Sequence, residues 1–103
     1  TFVEAARVFA ERVMKEGGTS PSERIAYAFR MATARAPKKA EADVLEDAFV
    51  DNLELFKSKP DAALKYVSHG ENQRDAKLNV SELAAYTSVT SLILNLNEVV
   101  MKE

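Results

Sequence analysis

The sequence predicts an all-α protein, a compact bundle of about five helices with the C-terminal helix at its centre. Apolar residues recur at helical spacing in successive segments, and glycine or proline punctuates the early ones. The last segment carries no charge over residues 83–97, which marks it as the buried element. No strand pattern, internal repeat or low-complexity run interrupts the series.

The first predicted helix covers residues 2–16. Phe2, Ala6, Phe9 and Val13 recur at i, i+4, i+7 and i+11 and form one apolar stripe. Glu4, Arg7, Glu11, Arg12 and Lys15 fall largely outside it. Gly17-Gly18 stops the helix, because glycine enters the left-handed conformation without a steric penalty. Ser20-Pro21-Ser22-Glu23 opens the second helix: Ser20 caps, Pro21 suits the first helical position, and Glu23 completes a capping box. Ile25, Ala28, Phe29 and Ala32 make its inner stripe, and Pro37 ends it near Arg35.

A third helix runs from Lys39 to about Lys57, with Leu45, Ala48, Phe49, Asn52 and Phe56 on one side. Its Glu41, Asp47, Glu54 and Lys57 read as solvated. Pro60-Asp61 opens a short fourth helix with Ala63, Leu64 and Val67 facing inward, and His69-Gly70 ends it. A polar connector spans residues 71–77. Asn79, with Glu82 three residues later, then starts the last helix, expected over residues 80–101.

On a helical wheel of that last helix, Thr87, Ser88, Ser91, Asn95 and Glu98 gather into an arc of roughly 100°, with Ala84 inside it. Apolar side chains fill the remainder, so the helix needs neighbours on two or more sides. Thr90 and Asn97 intrude into the apolar arc near Tyr86. The uncharged run is shorter than the ~20 residues that span a bilayer and contains Asn, Ser and Thr, so a transmembrane role is not expected.

At 103 residues the chain forms a single domain, 1–103. A net charge of −2 supplies no bulk attraction for nucleic acid or anionic lipid, so neither is an expected partner. The absence of cysteine excludes disulfides, thiolate metal sites and cysteine nucleophiles. The chain opens on Thr1 rather than Met, as expected if a targeting segment was removed or if the chain was cut from a longer one.

Several segments together resemble a known family. They are Phe2-Val3-Glu4-Ala5-Ala6-Arg7, then Arg24-Ile25 through Ala28-Phe29-Arg30, then Arg35-Ala36-Pro37 followed by Ala40-Glu41. Later come Gly70-Glu71-Asn72-Gln73-Arg74-Asp75, Glu82-Leu83-Ala84-Ala85-Tyr86-Thr87-Ser88-Val89 and Leu94-Asn95-Leu96-Asn97-Glu98. In order and spacing they are similar to the C-terminal region of the PSD1 family, a domain of unknown function (DUF1553) abundant in planctomycete bacteria. The resemblance covers nearly the whole chain. It departs at Asn97, where the family commonly has Asp, and at Tyr86, where Trp is frequent. It implies a large exported, envelope-associated or periplasmic parent protein, often with a cytochrome-c-like domain upstream. It transfers no catalytic residue.

Four residues form a candidate polar core or pocket: Asn97, Thr90, Tyr86 and His69. His69 is the only histidine, and at a helix C-terminus it reads as a cap, since no second histidine or cysteine supports metal or haem ligation. Asn97 reads as a buried amide bonded to a backbone turn or to Thr90. The acidic pairs Glu46-Asp47 and Asp51-Glu54 read as a solvated face. Met14, Met31 and Met101 read as core packing rather than haem ligands. Arg30, Arg35, Lys38 and Lys39 make only a small basic spot near Pro37.

No catalytic, metal or cofactor residue is assigned and no cofactor is expected. The expected role is a non-enzymatic structural or interaction module that docks on the rest of its parent chain or on another protein. The alternative is an accessory part of an enzyme or electron-transfer site completed by upstream domains.

Overall fold

In a computed structural model, the backbone is described over residues 2–68 and 77–102, and side chains over residues 4–68 and 77–95. Five helices follow one another: α1 (Phe2–Glu16), α2 (Pro21–Thr33), α3 (Lys39–Ser58), α4 (Pro60–Val67) and α5 (Val80–Lys102). The fold is all-α, and α5 packs against each of the other four helices.

The boundaries follow local chemistry. At the start of α2 the Ser20 hydroxyl accepts from the Glu23 amide at 3.2 Å and donates to the Glu23 carboxylate at 3.1 Å. Asn79 caps α5 by accepting the Glu82 amide at 3.0 Å. Pro60 occupies the first position of α4, where no amide hydrogen is needed. The β-branched tract 87–90 stays helical because burial outweighs its modest propensity penalty.

The end of α2 differs from expectation. The helix ends at Thr33, close to the expected Arg35, but Ala34 rather than Pro37 terminates it: Ala34 turns into the left-handed region at φ 63° and its amide bonds the Arg30 carbonyl at 2.8 Å. The two glycines after α1 act differently. Gly18 has φ 103°, a conformation that suits glycine. At Gly17 a Cβ would stand 2.6 Å from the Val13 carbonyl oxygen and 3.2 Å from the Arg24 Cα, so α1 and α2 meet at a backbone contact that only hydrogen permits.

The core joins Ala10, Val13 and Met14 of α1 to Ile25, Ala28 and Phe29 of α2 and to Leu45 and Phe49 of α3. Ala63 and Val67 of α4 and Leu83, Tyr86, Val89 and Ile93 of α5 complete it. From Leu83 to Thr87 every α5 residue is buried, so this stretch is enclosed around its full circumference. Ala84 and Thr87, at the N-terminal end of the expected polar arc, therefore lie inside. The arc reaches the surface only further along, at Ser88, Ser91 and Asn95, where Leu92 is also exposed.

Candidate functional site

Thr90 and Tyr86 are both buried on α5, one helical turn apart. The Thr90 hydroxyl lies 2.8 Å from the Ala6 carbonyl oxygen of α1 and 3.1 Å from the Thr87 carbonyl oxygen of its own helix. A hydroxyl has one proton, so the shorter contact to Ala6 is the stronger claimant, and it ties α5 to α1. Thr87 donates to the Leu83 carbonyl at 2.7 Å, a bond contained within α5. The expected partnership of Thr90 with Asn97 falls beyond the described side chains, as does everything concerning His69.

Tyr86 lies against Phe49 of α3, with ring centroids 4.4 Å apart and planes inclined by 34°. The Arg24 guanidinium of α2 stands over the Tyr86 ring at 5.5 Å from its centroid, and its Nε donates to the Gly18 carbonyl at 3.1 Å. Arg24 thus joins the α1–α2 turn to α5. Burial pushes the Tyr86 phenol above the usual tyrosine range, Arg24 opposes this, and the charge of Glu82 reinforces it. Such a phenol stays neutral at physiological pH.

Two basic residues are engaged by carboxylates, one in the interior and one at the surface. Arg7 is 1% exposed, although it falls outside the apolar stripe of α1, and its Nη1 pairs with Glu11 at 2.7 Å. Arg35 makes a two-pronged bond to Glu41, both distances 2.9 Å, while the Lys38 amide donates to the same carboxylate at 2.9 Å. Glu41 is therefore not simply solvated. The Arg35 fork, helped by the Lys38 amide, holds its carboxyl down to about 2. The basic spot near Pro37 loses Arg35 to this pair and to the Phe29 ring, 4.8 Å beneath its guanidinium.

Met14 is buried as expected, but Met31 is 47% exposed and is not core packing; Met101 lies outside the described side chains. Leu64, expected inward, is also exposed, because the short α4 turns Ala63 and Val67 to the core instead. Asp47, Asp51 and Glu54 are exposed and Glu46 partly so. Among the described residues no group of three His, Cys, Asp or Glu could hold a metal ion. No described helix is long and apolar enough to cross a membrane.

Among the described residues, two concave features lie on the surface. An open groove of about 850 Å³ lies between the end of α1 with its following turn (Glu16, Gly17, Gly18) and one side of α2 (Glu23, Ala26, Tyr27, Arg30, Met31 and Ala34). A smaller apolar dent of about 320 Å³ lies on α3 between Ala40, Val44 and Leu45, beside Glu41. Neither brings together a nucleophile, a base and an oxyanion donor.

The fold and these contacts define a small helical bundle whose buried polar groups bond within their own helices or, at Thr90 and Tyr86, between helices. Comparison with family models, with curated proteins and with solved structures finds no match.

Proposed function

We propose that the chain is a non-catalytic structural and interaction module, and that it forms the C-terminal part of a larger exported, envelope-associated bacterial protein. One observation supports the module reading best. The buried polar side chains Arg7, Thr87 and Thr90, and the Tyr86 phenol, sit in contacts within or between helices, and among the described residues none meets a second reactive group in a cavity. The exported parent rests on the sequence resemblance alone. Docking on the parent chain or on another protein is supported by Leu92, an apolar residue that α5 leaves exposed at 43%.

Titration with ferric haem and with zinc, followed by absorbance and calorimetry, tests the reading. The expected result is no saturable binding. One-to-one haem binding with a shifted absorption band, abolished in a His69→Ala variant, would replace this reading with the alternative of an accessory electron-transfer site.

A further inference from the structure

The α2 side of the groove carries a charge pattern that is complementary to itself; Glu16, which lines the groove from α1, is already engaged by Arg12 at 3.4 Å and by the Tyr27 hydroxyl. Glu23 and Arg30 are seven residues apart, which places them on one face of α2 about 10.5 Å apart along the axis. That is too far for them to pair with each other. Among the described residues neither forms an ion pair: Glu23 accepts from the Ser20 hydroxyl, and Arg30 projects into the groove. Between them lie Ala26 and the half-buried Tyr27, whose hydroxyl is held by Glu16 at 3.0 Å. Met31, exposed and apolar, flanks the same groove.

We infer that this face is a site of self-association, occupied by α2 of a second copy of the chain. A two-fold axis passing between Ala26 and Tyr27 runs the two helices antiparallel. Residue pairs whose numbers are equidistant from that point then face each other. Glu23 of one copy meets Arg30 of the other, and the reverse contact follows by symmetry, as a closed two-fold interface requires. Ala26, lacking a bulky side chain, lets the helices approach, while Tyr27 and Met31 supply the apolar area. A partner bearing only lysine or arginine would satisfy Glu23 and leave Arg30 without a carboxylate, whereas a second copy presents both charges at the matching spacing. The inference is independent of the exported parent proposed above. The contact is small, so the dimer is weak and salt-sensitive.

Sedimentation velocity of the full chain across a series from micromolar to millimolar tests this. The expected result is a reversible monomer–dimer equilibrium that weakens with added salt. Glu23→Arg and Arg30→Glu each place like charges opposite one another and should weaken self-association at least about tenfold. Mixing the two variants is decisive. In the heterodimer one chain carries arginine at both positions and the other carries glutamate at both. Opposite charges then face each other at both contacts, so the mixture should dimerise where neither variant does alone. That outcome also shows that both variants remain folded, which circular dichroism of each confirms. A wild-type chain that stays monomeric at every concentration overturns the inference. So do single variants that associate like wild type, or a mixture that does not recover dimerisation while both variants are folded.

Discussion

Two helical surfaces of this protein are treated in opposite ways. Residues 83–87 of α5 are enclosed on every side by the other helices, while one side of α2 lines a groove open to solvent. Both surfaces contain a tyrosine and small residues, so composition does not separate them. Charge does. The α5 stretch has none, and its polar atoms are met by carbonyls and by one guanidinium of the same chain. The α2 face keeps Glu23 and Arg30, whose complement is not within the described residues. A helix stripped of charge can be central because nothing in it needs water. A helix that retains separated opposite charges stays peripheral, and charges without an ion-pair partner among the described residues are what a partner can use.

The sharpest way to break this contrast is truncation on the two surfaces. Tyr86→Ala removes a buried ring, its contact with Phe49 and the seat of Arg24, and should cost about 3–5 kcal/mol in urea unfolding. Met31→Ala on the α2 face should stay within about 0.5 kcal/mol of wild type when the chain is monomeric. Equal effects would mean that α5 is not the central element. A second comparison lies within α5. Thr90→Val removes the bond to the Ala6 carbonyl and should destabilise by about 1–2 kcal/mol, whereas Thr87→Val removes only a bond within the helix and should cost less. If the two changes cost the same, the Thr90 hydroxyl is not tying α5 to α1.

Much of this arrangement was legible in the sequence, and the parts that were not share a physical cause. Capping signals at Ser20 and Asn79 and the breaks at Gly17 and Pro60 are local, so the helices they delimit could be read directly. The centrality of α5 followed from its uncharged run, and Thr90 and Tyr86 stood out as a polar residue and its neighbour within an apolar arc. Thr90's partner did not, because Ala6 lies 84 residues away in the chain. Arg7 read as peripheral because a wheel reports only its own helix. In the bundle, Ala6 and Ala10 are fully buried and let the neighbouring helix lie close, so the adjacent side chain is covered too. Met31 and Leu64 go the opposite way: α2 turns Ile25, Ala28 and Phe29 to the core and α4 turns Ala63 and Val67, which leaves Met31 and Leu64 exposed. Arg24 offered no signal at all, since its role needs both Gly18 and Tyr86 brought within reach.

The end of α2 gives a smaller and opposite effect. Ala34 holds a left-handed conformation at φ 63°, which costs an L-residue with a Cβ but not glycine. Ala34→Gly should therefore stabilise the fold, by about 0.5–1 kcal/mol after the added flexibility of the unfolded chain is subtracted. A higher urea midpoint with an unchanged slope would confirm it. A lower midpoint would show that the methyl group contributes packing beside the groove that outweighs the backbone strain.

The smallest effect expected comes from the Arg35–Glu41 fork just beyond that turn. The Glu41 carboxyl is held at about 2 in the folded chain, against an ordinary value of 4.5 when unfolded. The folded state therefore binds fewer protons between these values than the unfolded state does. The fork's contribution is fully present above about 4.5 and fades as the pH falls through about 2. Solvent screens a pair this exposed, so the contribution is modest and should shrink further in salt. Glu41→Gln removes the titrating group while keeping an acceptor for the Lys38 amide. Its stability relative to wild type should be lowest near neutrality and should converge with wild type in acid. Because the α5 stretch holds no carboxylate between Leu83 and Thr87, acid should loosen the α2–α3 connection before it disturbs the enclosed core. Amide exchange measured at falling pH would show protection lost first around Lys38 and Ala42, where the α3 start is held, and retained longest along residues 83–90.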